Sequence, residues 1–302
     1  MKSVWQPYGL SDFPLKHPMV GQDPLYHAFS DFLKSYQRRS DTANIFAVIA
    51  RWGVGKSRFA MEVVSQWLQA SKGWILQESG LPGTPLKEFG LDTQTLPIYL
   101  SYSDFSHPDS VGDNWLTYGI YRALEKIARD PDNSITGQII DQVQSHLLPR
   151  GFIYRRLAAK LESGKYTSEE LLDNDVLLDR LVKSGMEYLK EVKINDLLIF
   201  VDEVETMTEI VRLDQSPEKE EEAYHIDSEG LQVLGRGLKN DSVRKKYPFA
   251  NIVLLCSPVV GKSITELGAL QRRTHVIELD QISFSDVRHL VKKLEEDKII
   301  DE

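Results

Sequence analysis

One stretch limits the folds open to this chain more than any other: IFAVIARWGVGKSRFAMEVV, residues 45–64. An apolar, β-branched run breaks at two glycines and a lysine. An amphipathic pattern begins at once, with Phe59, Val63, Val64, Trp67 and Leu68 on one helical face. A strand that must end, curl and hand over to a helix in so short a space needs permissive dihedrals, and Gly53 and Gly55 supply them. Such a curl turns successive backbone N–H groups inward ahead of a helix N-terminus, an arrangement that holds an anion. Read alone, the same stretch also fits a plain turn between strand and helix.

The strand-like pattern of Ile45–Ala50 recurs at Leu96–Ser101, Leu197–Asp202, Ile252–Ser257 and His275–Leu279. Helical patterns lie between and after these runs, near Lys56–Ser71, Asn114–Arg129, Gly230–Lys239 and Ser285–Lys298. Buried parallel strands read as near-continuous apolar runs, so the alternation predicts an α/β fold. The expected architecture is three-layered, with a mainly parallel five-stranded sheet between helices. Residues 131–193 are charged and leucine-rich with apolar spacing near three and four, which predicts two or three helices inserted between strands. Residues 214–222, DQSPEKEEE, read as a polar loop, and no internal repeat is seen.

Composition narrows the class. With 302 residues and 41% hydrophobic content the chain can bury a sizeable core, as one large domain or two small ones. A net charge of −9 argues against a surface that coats nucleic acid. The short basic runs at 155–156, 244–246 and 272–273 are local candidates, each most simply a solvated face. The longest apolar runs fall far short of the roughly 20 residues a spanning helix needs, so no membrane segment is expected. The N-terminus lacks a secretory apolar region, and Cys256 is the lone cysteine. A cytoplasmic protein is therefore expected.

Residues 50–57, Ala-Arg-Trp-Gly-Val-Gly-Lys-Ser, match the Walker A pattern G-x-x-x-x-G-K-[ST] with Ala50 at the first glycine. The phosphate-binding segment would run through Arg51, Trp52, Gly53, Val54, Gly55, Lys56, Ser57 and Arg58. Lys56 would bridge the β- and γ-phosphates, and the Ser57 hydroxyl would ligate Mg²⁺. Ala50 departs only mildly, because the chain there is still leaving the strand. Farther on, DLLIFVDEVE at 196–205 is an apolar strand ending in carboxylates, a Walker B pattern. Asp202 sits where a Mg²⁺ partner is needed, in direct contact or through an intervening group, and hydroxyl and carboxylate oxygens suit that hard ion. Together the two elements predict a nucleotide site with ATP and Mg²⁺ as cofactors.

With both elements located, the chain resembles a P-loop NTPase of the AAA+, additional-strand class, near origin-recognition-type and archaeal-type ATPases and the STAND and KAP groups. The resemblance covers residues 17 to 291 and carries several roles with it. HPMVGQDPLYHAFSDFL, residues 17–33, is similar to the segment that precedes the P-loop, which puts Val20, Gly21 and Gln22 on the adenine side. Glu203 inherits the carboxylate that polarises the attacking water. Ser257, ending NIVLLCSP, takes the sensor 1 position, where asparagine is commoner. Arg272 or Arg273 would be an arginine finger presented to a neighbouring subunit, with a helix cap or an ion pair as the alternative. Trp52 would cover the site or meet a partner.

The implied division is an N-terminal segment over 1–40, an ATPase core over 41–285 and the start of a lid over 286–302. The family continues into a helical lid with a sensor 2 arginine, and none is assigned here. The chain is expected to be either a piece of a longer protein or one with a reduced lid. The implied activity is ATP binding and hydrolysis driving conformational change or assembly, with ATP and ADP as ligands and self-association or a protein partner. The alternatives are a STAND-like switch with little turnover and a DNA-associated ATPase, which the acidic composition does not favour. Trp115 and Tyr118 read as core packing, Cys256 as an inert core thiol, and the histidines lack metal-ligand spacing.

Overall fold

The structure, a computed structural model, describes residues 23–37, 45–51, 53–60, 63, 95–101, 114–131, 150–192, 194, 196–203, 205, 210–212, 224–226, 235, 250–266, 274–279, 283–285, 288 and 291–292. The five predicted strands form within one or two residues of their expected bounds: β1 (Ile45–Ile49), β2 (Thr95–Ser101), β3 (Asp196–Asp202), β6 (Ala250–Cys256) and β7 (Thr274–Glu278). They make one sheet in the order β2-β3-β6-β1-β7, and every pair is parallel. The apolar character of β1, β3 and β6 follows from burial on both faces, each of their described hydrophobic side chains being at most 5% exposed. The short pair β4 (Ile210–Arg212) and β5 (Tyr224–Ile226) forms a separate antiparallel ribbon that the sequence pattern does not announce. The acidic 214–222 segment lies outside the described residues, as does most of 230–239.

Opposite faces of the sheet are covered by different helices. Helix α1 (Asp23–Gln37) lays Phe29 and Phe32 on Phe46, with ring centroids 5.4 and 5.1 Å apart. The helix that begins at residue 56 joins the same cluster, Phe59 meeting Phe29 edge-on at 5.2 Å. Helix α6 (Pro258–Glu266) covers the other face, because Gly261 lies so close to Ile49 that a Cβ there would collide with the Ile49 side chain. Phe46 and Ile49 are an odd number of residues apart and so point to opposite sides. The arrangement is compatible with a three-layer α/β fold, each fully buried aromatic contributing about 1.5–3 kcal/mol.

The insertion between β2 and β3 is helical, as expected. Helix α2 (Trp115–Arg129) packs on β2, with Trp115 and Tyr118 in the core. Helices α3 (Arg150–Lys160), α4 (Ser168–Leu172) and α5 (Asp175–Glu191) follow, and α3 and α5 pack on α2 and on each other. Their junction is polar. Glu125 of α2 is only 6% exposed and faces the turn after α3. It accepts from Ser163 Oγ at 3.0 Å and the Gly164 N–H at 3.1 Å, and it pairs with Arg129 at 3.0 Å. Gly164 sits at φ +78°, a conformation that favours glycine.

Candidate functional site

The chain leaves β1 held on both sides. The Ala50 N–H donates to the Cys256 carbonyl at 3.1 Å, and the Leu279 N–H donates to the Ile49 carbonyl at 2.8 Å. The curl predicted from the two glycines then forms, with Gly53 at φ +80° and Gly55 at φ +110°. Nothing lies within 4 Å of where a Cβ of Gly53 would stand, so the demand for glycine there is conformational. The helix starts at once, the Phe59 N–H donating to the Gly55 carbonyl at 2.9 Å. Lys56 Nζ reaches back over the loop to the carbonyls of Ala50 at 2.7 Å and Arg51 at 3.1 Å. Val54 is buried, Arg51 and Gly53 are exposed, and Gly55, Lys56, Ser57 and Arg58 are half-buried.

Adjacent strands β1 and β6 send their following helices to opposite faces of the sheet. In open α/β sheets the crevice at the carboxyl ends of such a strand pair is where ligands bind. The acidic end of β3 closes that crevice. Ser57 Oγ donates to Asp202 Oδ2 at 2.5 Å, joining residues 145 positions apart in sequence. Asp202 is 3% exposed and receives two further donors: Tyr99 OH on Oδ2 at 2.5 Å and the Glu203 N–H on Oδ1 at 2.9 Å. Glu203 stands at φ +58°, uncommon for a residue with a side chain, and its Oε2 accepts from Ser101 Oγ. The third acid, Glu205, accepts the Ser257 N–H on Oε1. Ser257 is buried between β6 and α6, where its Oγ accepts the Val260 N–H at 3.5 Å as a helix cap.

Burial raises the Asp202 carboxyl above the usual carboxylate range, against the lowering effect of the donors from Ser57, Tyr99 and Glu203. Burial likewise raises Glu205, opposed by the Ser257 amide and the Lys56 charge. Tyr99 is pushed far up, by burial first and then by the Asp202 charge beside it. Burial pushes the Cys256 thiol up as well, which fits an inert core residue.

The donor set fits Mg²⁺ in one way only. Among the described residues no group of three or more His, Cys, Asp or Glu side chains could cage a metal. Mg²⁺ characteristically takes few protein ligands and completes its shell with waters and substrate phosphates. Ser57, having given its hydrogen to Asp202, keeps oxygen lone pairs for such an ion.

The structure thus brings together Lys56, Ser57, Asp202, Glu203 and Ser257 from three strand ends. Trp52, Val20, Gly21, Gln22, Arg272 and Arg273 lie outside the described residues. Tyr99, Ser101 and Glu205 belong to the site, although motif reading passes over them. Their sequence signal is slight: two polar residues at alternate positions ending the apolar run of β2, and one more acid after the pair at 202–203. No helix among the described residues is long and apolar enough to cross a membrane. No protein-family model matches the chain, and no curated protein matches it either.

Proposed function

We propose that this protein is an ATP-binding and hydrolysing P-loop ATPase of the AAA+-like, additional-strand class, whose nucleotide cycle drives conformational change or assembly. The observation that carries the reading is the 2.5 Å contact of Ser57 Oγ with Asp202 Oδ2, behind a loop whose two glycines adopt positive φ. Chance placement of a glycine turn would not bring its serine onto a buried carboxylate at the end of another strand. The position of β6 between β1 and β3 supports the same class, which is named for such an added strand.

In this reading the loop amides and the helix N-terminus hold the phosphates. Lys56 exchanges carbonyl partners for phosphoryl oxygens, a stronger charge-assisted contact. Ser57 would hold Mg²⁺, which would supply neutralisation of the phosphate charge. Ser57 presents its oxygen to that ion while Asp202 holds its hydrogen. Glu203 orients the attacking water and draws on its proton, so the chain's contribution is positioning and fixed charge. Replacing Glu203 with Gln is expected to leave ATP bound while hydrolysis falls at least about tenfold. Single-turnover measurements check this, and an unchanged rate removes Glu203 from the role.

A second reading, a nucleotide-gated switch with little turnover, is favoured by one observation. The Ser101 hydroxyl donates to Glu203 Oε2 and so competes with an attacking water for that carboxylate. Native mass with and without ATP separates the two: a switch changes its assembly on ATP binding without needing hydrolysis.

A further inference from the structure

We propose that Tyr99 is a positioning residue of this site, fixing the Asp202 carboxylate so that its Oδ2 acts on the metal through the Ser57 hydroxyl and not by direct ligation. The proposal rests on the nucleotide reading above and adds a residue that no phosphate-loop motif contains.

Tyr99 lies on β2, directly beside β3, with Tyr99 opposite Phe200 in the parallel register. That places its ring on the Asp202 face, one pleat behind the carboxylate. The phenol donates to Oδ2 at 2.5 Å, the same oxygen that accepts from Ser57 Oγ at 2.5 Å. A carboxylate oxygen has two in-plane lone pairs, and here both are taken. Oδ1 accepts the Glu203 N–H at 2.9 Å. The carboxylate is therefore pinned at both oxygens; Oδ2 offers no lone pair to an ion, and Oδ1 keeps only the one that the Glu203 N–H does not take. Ser57 differs, because its hydrogen is committed to Asp202 and its oxygen keeps its own lone pairs. Removing the phenol would free Oδ2, let the carboxylate swing and leave the Ser57 hydrogen without a fixed acceptor. Outer-shell partners of this kind set metal affinity by about 10- to 100-fold.

The test uses a fluorescent ATP analogue and the full chain, as wild type, Tyr99→Phe and Tyr99→Met. Nucleotide affinity is measured in EDTA and across a Mg²⁺ titration, and folding is checked by a cooperative melt. The expected result is a rise of about tenfold or more in half-saturating Mg²⁺, and an equal fall in the ratio of Mg²⁺-loaded to Mg²⁺-free affinity. A merely structural phenol would weaken both affinities together and keep the ratio, which overturns the proposal. An unmoved Mg²⁺ midpoint overturns it as well, as does failure of both variants to fold. Absence of nucleotide binding by the wild type is a separate failure: it removes the nucleotide reading itself and takes the proposal with it.

Discussion

At the scale of single residues the site holds more buried acid than its stability favours. Asp202 collects three donors, Glu205 accepts a backbone amide and faces Lys56, and burial still raises both carboxyls. Both groups therefore hold protons more tightly in the fold than in the unfolded chain. Their contribution is most favourable below the ordinary carboxylate range, about pH 4, and is lost as pH rises from there toward the raised folded values. Glu205→Gln keeps the acceptor for the Ser257 N–H and removes the charge. Its melting temperature should exceed that of the wild type at neutral pH, and the gap should close toward about pH 4. Melts across that range check it, and a variant that melts lower at neutral pH contradicts it. Motif spacing locates Lys56, Ser57, Asp202 and Glu203 because the signal for each is local. Tyr99, Ser101 and Glu205 escape it because their partners are set by which strand lies next to which. In the register Ser101 pairs with Asp202, and no pattern within β2 states that neighbour.

At the scale of elements the helical insertion is legible from leucine spacing, but the way it is fastened is not. Glu125 reads as one more charged residue on an amphipathic helix, yet it is buried where α2 meets the turn after α3. That turn depends on left-handed backbone at Glu162 (φ 49°) and Gly164 (φ 78°), a geometry that apolar periodicity does not encode. Arg122 and Arg129 are about half exposed, so their pairing with Glu125 adds little. The cost of losing Glu125 lies in the donors it satisfies, Ser163 Oγ and the Gly164 N–H. Glu125→Ala should lower stability by about 2–3 kcal/mol in denaturant unfolding. A loss under about 0.5 kcal/mol, the range of ordinary surface changes, would show that the junction holds without it. The ribbon β4–β5 was illegible for a simpler reason. Strands of three residues are too short to display an alternation.

At the scale of the whole molecule the parallel sheet was the most legible feature, since strands buried on both faces must be apolar along their length. The strand order was not legible, and it is the order that makes the site. Placing β6 between β1 and β3 puts the glycine loop, the acids after β3 and the cap of α6 around one crevice. If nucleotide drives assembly, native mass spectrometry should show a larger species with ATP than with buffer, and the Lys56→Ala variant should show no such shift. A nucleotide-independent mass would leave conformational change within one chain as the output. The most direct test of the central claim is calorimetric titration of wild type and Lys56→Ala with ATP and Mg²⁺. The wild type should show saturable one-site binding, and the variant should lose affinity by at least about 100-fold, as expected for removing a charge-assisted contact. Equal affinity in the two proteins, or no binding by either, would contradict it.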